Sequence, residues 1–217
     1  MVCCFANFFS LFLINQMDFF IFLVQLLTGP YWLNDQIIAF YFLYLEQHVF
    51  KSSSEKFLFV PPAITQLIKM SPAEETKDLL ETLNPRNKKK VIFFAVNDNE
   101  STHAGGSHWS LLVFSRPELA FFNFDSIPGH NRATTKRIVN LLRLGLNCST
   151  AAYQDQACSQ QSNHYDCGIH LLVNAENIAN YFLIHESVED VPQASHTIIA
   201  NKRANILHLI SEMGGNF

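Results

Sequence analysis

Cys167, His108, Asp125 and Gln161 are of the types that together perform acyl transfer by a thiol. His108 lies in a run, SHWSLLVF, that reads as a β-strand. Asp125 ends the next such run, LAFFNFD. The short segment 115–118 between them suits a tight turn, so the two strands should pair antiparallel. A hairpin turning near residue 116 brings His108 and Asp125 to the same end of the pair. A carboxylate there can fix the tautomer of the imidazole. Cys167 stands where a loop turns into a helix, among free backbone N–H groups and the positive end of the helix dipole. Such a place, with an imidazolium nearby, favours a thiolate. Gly168 would let a bulky acyl group approach the sulfur. Gln161 carries an amide N–H that could point into an oxyanion hole.

Each residue also has an ordinary reading. A histidine beside a tryptophan is commonly structural, a buried cysteine often behaves as a small hydrophobe, and Asp125 could cap a turn. Their joint placement on strand ends and a helix start favours a thiol protease. His164, Cys167 and His170 form H-x-x-C-x-x-H, but no second cluster supports a metal there, and no metal or organic cofactor is expected. Gln156-Ala157-Cys158 starts like the caspase signature, and Ser159 and Gln160 break it, so Cys158 is expected to be structural. Gly105-Gly106 is too short for a phosphate loop and reads as a flexible turn.

These residues need elements to hold them. Asn34 is a helix N-cap before Ile37, Ile38, Phe40, Tyr41 and Tyr44, which predicts a helix to about residue 47. A short helix is expected over 63–69. Ser71-Pro72-Ala73-Glu74 reads as a capping box that starts another. Residues 90–97 (KVIFFAVN) form a first strand, followed by a polar loop over 98–106 and the two strands of the hairpin. Helices follow over 131–144, 166–182 and 195–213, with a short strand at 151–153. The pattern is α+β, helices flanking a central sheet.

At 217 residues, with 48% apolar and 16% charged residues, the chain can bury a core without staples and is not a disordered segment. A net charge of −4 leaves no basic footprint for nucleic acid. The five cysteines are Cys3, Cys4, Cys148, Cys158 and Cys167; they contain no C-x-x-C pair and point to a reducing compartment. Seven of the 20 phenylalanines precede Gly29, so residues 1–28 form an apolar extension distinct from a single domain over 29–217. Asp18, Gln16 and Asn15 interrupt that extension and no positive charge precedes it, so a membrane span is not expected, although a weak signal-anchor stays open.

GSHWSLL at 106–112, Phe124-Asp125-Ser126, QSNHYDCG at 161–168 and Trp32-Leu33-Asn34-Asp35 resemble the ubiquitin-like-protein proteases, the sentrin-specific or Ulp family of cysteine peptidases. The resemblance runs from about residue 30 to about 213. It implies a papain-like fold of the Ulp type around a mixed or antiparallel sheet. It implies Cys167 as nucleophile, His108 as general acid–base, Asp125 as its orienting carboxylate, and Gln161 with the Cys167 N–H as oxyanion hole. Trp32 and Trp109 would wall a tunnel that admits only a Gly-Gly tail, with the loop at 97–106 closing over it. Asp35 would pair with a basic residue of the modifier.

Within the family, AVNDN at 95–99 and AGGSHWSLLV at 104–113 resemble the deneddylase branch more than the desumoylating one. The implied partners are a ubiquitin-like modifier and its conjugates, cullin-type targets among them. The expected enzyme is a monomer of the cytoplasm or nucleus. An inactive modifier-binding module is the reading from another class, and the intact set of four residues argues against it.

Overall fold

The computed structural model describes residues 16–84 and 88–214. Five strands form one mixed sheet in chain order: β1 (Phe57–Val60), β2 (Val91–Asn97), β3 (Trp109–Ser115), β4 (Ala120–Phe124) and β5 (Ala152–Gln156). The central three strands pair antiparallel, and the two edge strands run parallel to their neighbours. Helices α1 (Gln16–Thr28), α2 (Asp35–Tyr44), α3 (Pro62–Met70), α4 (Ala73–Leu83), α5 (Arg132–Gly145), α6 (Cys167–His185) and α7 (His196–Gly214) complete the described chain.

The near-continuous apolar runs of β2, β3 and β4 are explained by cover on both faces of the sheet. Successive side chains alternate between faces. Phe57, Phe59, Val91, Phe93, Val113 and Phe122 turn to one core, shared with α1, α2, α6 and α7. Leu58, Val60, Ile92, Phe94, Leu112, Phe114 and Phe121 turn to the other, shared with α3, α4 and α5. Phe59 and Phe93 stack face to face at 4.6 Å on the first side, and Phe114 meets Phe121 at 4.8 Å on the second. Helix α1 is part of the first core, since its Leu23 and Leu27 are buried there. Residues 1–15 lie outside the described residues. Among the described residues no helix is long and apolar enough to cross a membrane.

Two local readings need correction, and one needs detail. The chain contains a strand, β1, that its sequence did not suggest; four residues stopped by Pro61-Pro62 are too short to show a period. Helix α2 is regular to Tyr44 and runs on without a break, as expected, into a wider helical turn, Leu45–Val49, closed by the Phe50 N–H on the Leu45 carbonyl at 2.7 Å. The capping box does not form. Pro72 itself occupies the cap position, and its carbonyl takes the Thr76 N–H at 3.1 Å and the Thr76 hydroxyl at 3.2 Å.

Candidate active site

The hairpin of β3 and β4 does what its spacing predicts. His108 immediately precedes β3, Asp125 immediately follows β4, and His108 Nε2 meets Asp125 Oδ1 at 2.6 Å. Both are buried. The carboxylate is held in turn by two backbone donors: Ile127 N–H on Oδ1 at 3.1 Å and Asn131 N–H on Oδ2 at 2.9 Å. Burial works against a charged His108, but its hydrogen bonds to Asp125 and to the Cys167 side chain outweigh that cost. The imidazole is raised to about 9. An imidazolium there is the partner a thiolate needs.

Cys167 is the first residue of α6 and is buried. With Nε2 of His108 committed to Asp125, Nδ1 is the nitrogen left to face the sulfur. Gly168 has a different use from the one its position suggests. A Cβ at this residue would sit 2.9 Å from Leu33 Cβ, so the glycine admits Leu33 against the start of α6. The packing partner lies on the entry segment, which sequence proximity to Cys167 does not show.

That entry segment is bound on both sides. The Trp32 indole donates to the His164 carbonyl in the loop before Cys167. The Trp109 indole donates to the Leu33 carbonyl at 3.0 Å. Trp32 is half exposed, and Asp35 is exposed in the first turn of α2, which Asn34 caps by accepting the Ile37 N–H at 3.0 Å. Gln161 accepts from the Ser126 hydroxyl at 2.7 Å and donates to the Asn163 carbonyl at 2.7 Å. It is thereby tied both to the Asp125 side of the cleft and to the loop that leads to Cys167.

Two residues that support the site are not given a role by their type or spacing in the sequence. Asp98 accepts the Ser107 N–H and hydroxyl, both at 2.6 Å, the His108 N–H at 3.1 Å and the His130 ring at 3.2 Å. Its burial raises the carboxyl, and these donors overcome that and bring it down to about 2. Asn131, buried ahead of α5, fixes Asp125 through its N–H and reaches the Ser110 hydroxyl at 3.0 Å with its side chain. Both are polar residues in polar stretches, where only the folded contacts set them apart.

The loop at 97–106 is built rather than loose. Gln66 of α3 donates to the Asn99 and Ser101 carbonyls, and buried Lys69 donates to those of Asn97 and Asn99. Gly106 has φ +90°, and a Cβ there would lie 1.8 Å from Asn97 Oδ1. Gly106 is therefore required by the turn that delivers Ser107 and His108 to Asp98. Cys158 is buried in the first core, where burial pushes its thiol up to about 11.

Comparison with known proteins bears on the family of the chain. The family described as the Ulp1 protease family, C-terminal catalytic domain, matches residues 31–208. Sentrin-specific protease 8 of Homo sapiens is 35% identical over 194 residues, covering 88% of this chain and 91% of that protein. NEDD8-specific protease 1 of Arabidopsis thaliana is 36% identical over 163 residues, 73% of this chain and 70% of that protein. Among solved structures, the SUMO protease Ulp1 with its catalytic cysteine oxidised to a sulfonic acid has a TM-score of 0.67 at 21% identity, covering 86% of this chain and 81% of that one. The effector XopD of Xanthomonas campestris, bound to ubiquitin, has a TM-score of 0.62 at 18% identity, covering 82% and 92%. The last two speak for the fold. The family match over most of the chain and the relatives above one third identity speak for descent: this chain belongs to the Ulp1 protease family of cysteine peptidases.

Proposed function

We propose that this cysteine peptidase cleaves after the C-terminal glycine of a ubiquitin-like modifier, as a deneddylase that processes precursors and removes the modifier from conjugates. One observation carries the reading: the buried His108–Asp125 pair beside Cys167, in a chain whose relatives of comparable length are named sentrin-specific and NEDD8-specific proteases.

The geometry supports the following roles. The Cys167 thiolate attacks the glycine carbonyl and forms a thioester as the C–N bond breaks. His108, charged at neutral pH, gives its proton to the departing lysine amine or peptide nitrogen, then takes one from the water that hydrolyses the thioester. Asp125 holds the ring through both steps. Gln161, fixed by Ser126 and Asn163, would offer its second amide N–H to the oxyanion together with the Cys167 backbone. Trp32 and Trp109, each tied to the backbone across the cleft, would wall a slot too narrow for side chains, and the loop at 97–106 would cover the tail. Asp35, exposed one turn from Trp32, would meet a basic residue of the modifier. Conjugates, cullin-type targets among them, would be met by a monomeric enzyme in the cytoplasm or nucleus; the free buried thiols of Cys148, Cys158 and Cys167 suit a reducing compartment.

Substrates consisting of each modifier joined through its terminal glycine to a fluorogenic amine test this. The NEDD8 substrate should show the highest kcat/KM. Higher turnover of the SUMO substrate would make the enzyme a desumoylase, and turnover of neither would favour the inactive binding module.

A further inference from the structure

We propose that Arg203 is a positioning residue for the reaction, which holds the Asp166 carboxylate away from the first turn of α6. The proposal rests on Cys167 being the nucleophile.

Asp166 occupies the cap position of α6, one residue before Cys167. Aspartate there ordinarily accepts the N–H of the second or third helical residue, here Gly168 or Ile169. In this chain it makes no such bond, and its backbone, at φ −97° and ψ 10°, is not the extended form usual at a cap. Its oxygens are taken elsewhere. Oδ1 receives Arg203 Nε at 2.8 Å and Nη2 at 2.7 Å, and Oδ2 receives Asn163 Nδ2 at 2.7 Å. Asn163 Oδ1 meanwhile accepts the Tyr165 and Asp166 N–H groups, both at 3.0 Å, which closes the loop before the nucleophile.

The diversion has two chemical effects. It leaves the first-turn N–H groups for anions that form at Cys167, the thiolate and the oxyanion. It also keeps a carboxylate, already matched by a guanidinium, from adding negative charge beside the sulfur. Arg203 is suited to this because its planar fork can serve several acceptors at once, which a lysine cannot. It donates further to the Leu26 carbonyl at 2.7 Å, Tyr31 at 2.8 Å and Tyr165 at 3.1 Å, and lies over the Tyr165 ring. The end of α1, the segment before Trp32 and the nucleophile loop thus meet on one side chain. Both members of the ion pair are mostly buried, at 15% and 20% side-chain exposure, so solvent does not screen it as it would a surface pair. Among the described residues, Cys167 is faced by His108 before β3, with Asp125 behind it, and Asp166 by Arg203 on α7 and by His170 one turn along α6, with His196 of α7 beyond it.

The test is a double-mutant cycle on the full chain, read by turnover of the glycine-amine substrate and by iodoacetamide alkylation mapped to Cys167. Loss of alkylation and turnover in Cys167→Ala establishes the nucleophile first; if that variant stays active, the site assignment itself has failed. Arg203→Met should then lower kcat about ten- to a hundredfold with little change in KM, the scale of a small misplacement of reacting groups. Its alkylation profile should move to higher pH. In an Asp166→Ala background the same substitution should cost about fivefold less in kcat or better, what remains being the loss of its bonds to the Leu26, Tyr31 and Tyr165 carbonyls. An equal loss of kcat in both backgrounds, or an alkylation profile that does not move, would overturn the proposal. Should Arg203→Met fail to fold, Arg203→Lys replaces it in both backgrounds, with the same coupling expected and the same additive loss decisive against it.

Discussion

His108 meets Asp125 through Nε2 at 2.6 Å, so the ring nitrogen that serves Cys167 is Nδ1. The hairpin sets one end of this relay and the start of α6 the other. Asp125 can orient the ring because Ile127 and Asn131 N–H groups leave its carboxylate little freedom to turn.

Replacing Asp125 with Asn removes the charge while keeping the size. The orienting acceptor becomes ambiguous and the imidazolium loses its counter-charge. We expect kcat to fall by about a hundred- to ten-thousandfold, the scale of the same change in serine-protease triads. Affinity for the modifier, measured by calorimetry on a Cys167→Ala background, should be nearly unchanged. Lost affinity would assign Asp125 a structural role instead.

The pH dependence follows from His108. Its proton is held up to about 9, so the imidazolium needed by the thiolate is lost as pH rises through that value. The alkaline limb of kcat/KM should fall there, and Asp125→Asn should move it to lower pH. For stability the sign is that of a group raised on folding. The contribution is complete below about 6.5, the unfolded value, and disappears as pH rises through about 9. A thermal melt followed from pH 6 to pH 10 should show the loss, and one that is steeper in Asp125→Asn would contradict it.

Trp109→Ala removes the bond to the Leu33 carbonyl and one proposed wall of the glycine slot. KM for the modifier substrate should rise about tenfold or more, as for a buried aromatic anchor at an interface. Unchanged kinetics would refute the tunnel assignment.

Gly168→Ala places a methyl group 2.9 Å from Leu33 Cβ. Overpacking of this kind costs about 1–3 kcal/mol and displaces backbone, here beside Cys167, the proposed nucleophile. Activity and melting temperature should both fall, because the nearest atom, Leu33 Cβ, belongs to a buried side chain that has no room to withdraw. A fall in activity with an unchanged melting temperature would mean that the glycine serves access to the sulfur.

The residues proposed for the chemistry were legible in the sequence wherever local pattern determined their place. Apolar runs flanking Ser115-Arg116-Pro117-Glu118 gave the hairpin, and the hairpin gave His108 and Asp125. A loop-to-helix change gave Cys167. What was not legible depends on distant contacts. The parallel partner of β1 lies across two helices of sequence. The reason for Gly168 is Leu33, and the reason for Gly106 is the side chain of Asn97. Asp98 and Asn131 differ from other loop residues only in where their side chains end up. Asp166 reads in sequence as a helix cap and is not one, because Arg203 claims it from α7.

The most direct test is a NEDD8 probe whose terminal glycine carries a thiol-reactive electrophile. The wild-type chain should form one covalent adduct, mapped by peptide mass to Cys167 and absent in Cys167→Ala. No adduct, or an adduct that survives that substitution, would contradict the assignment of this site.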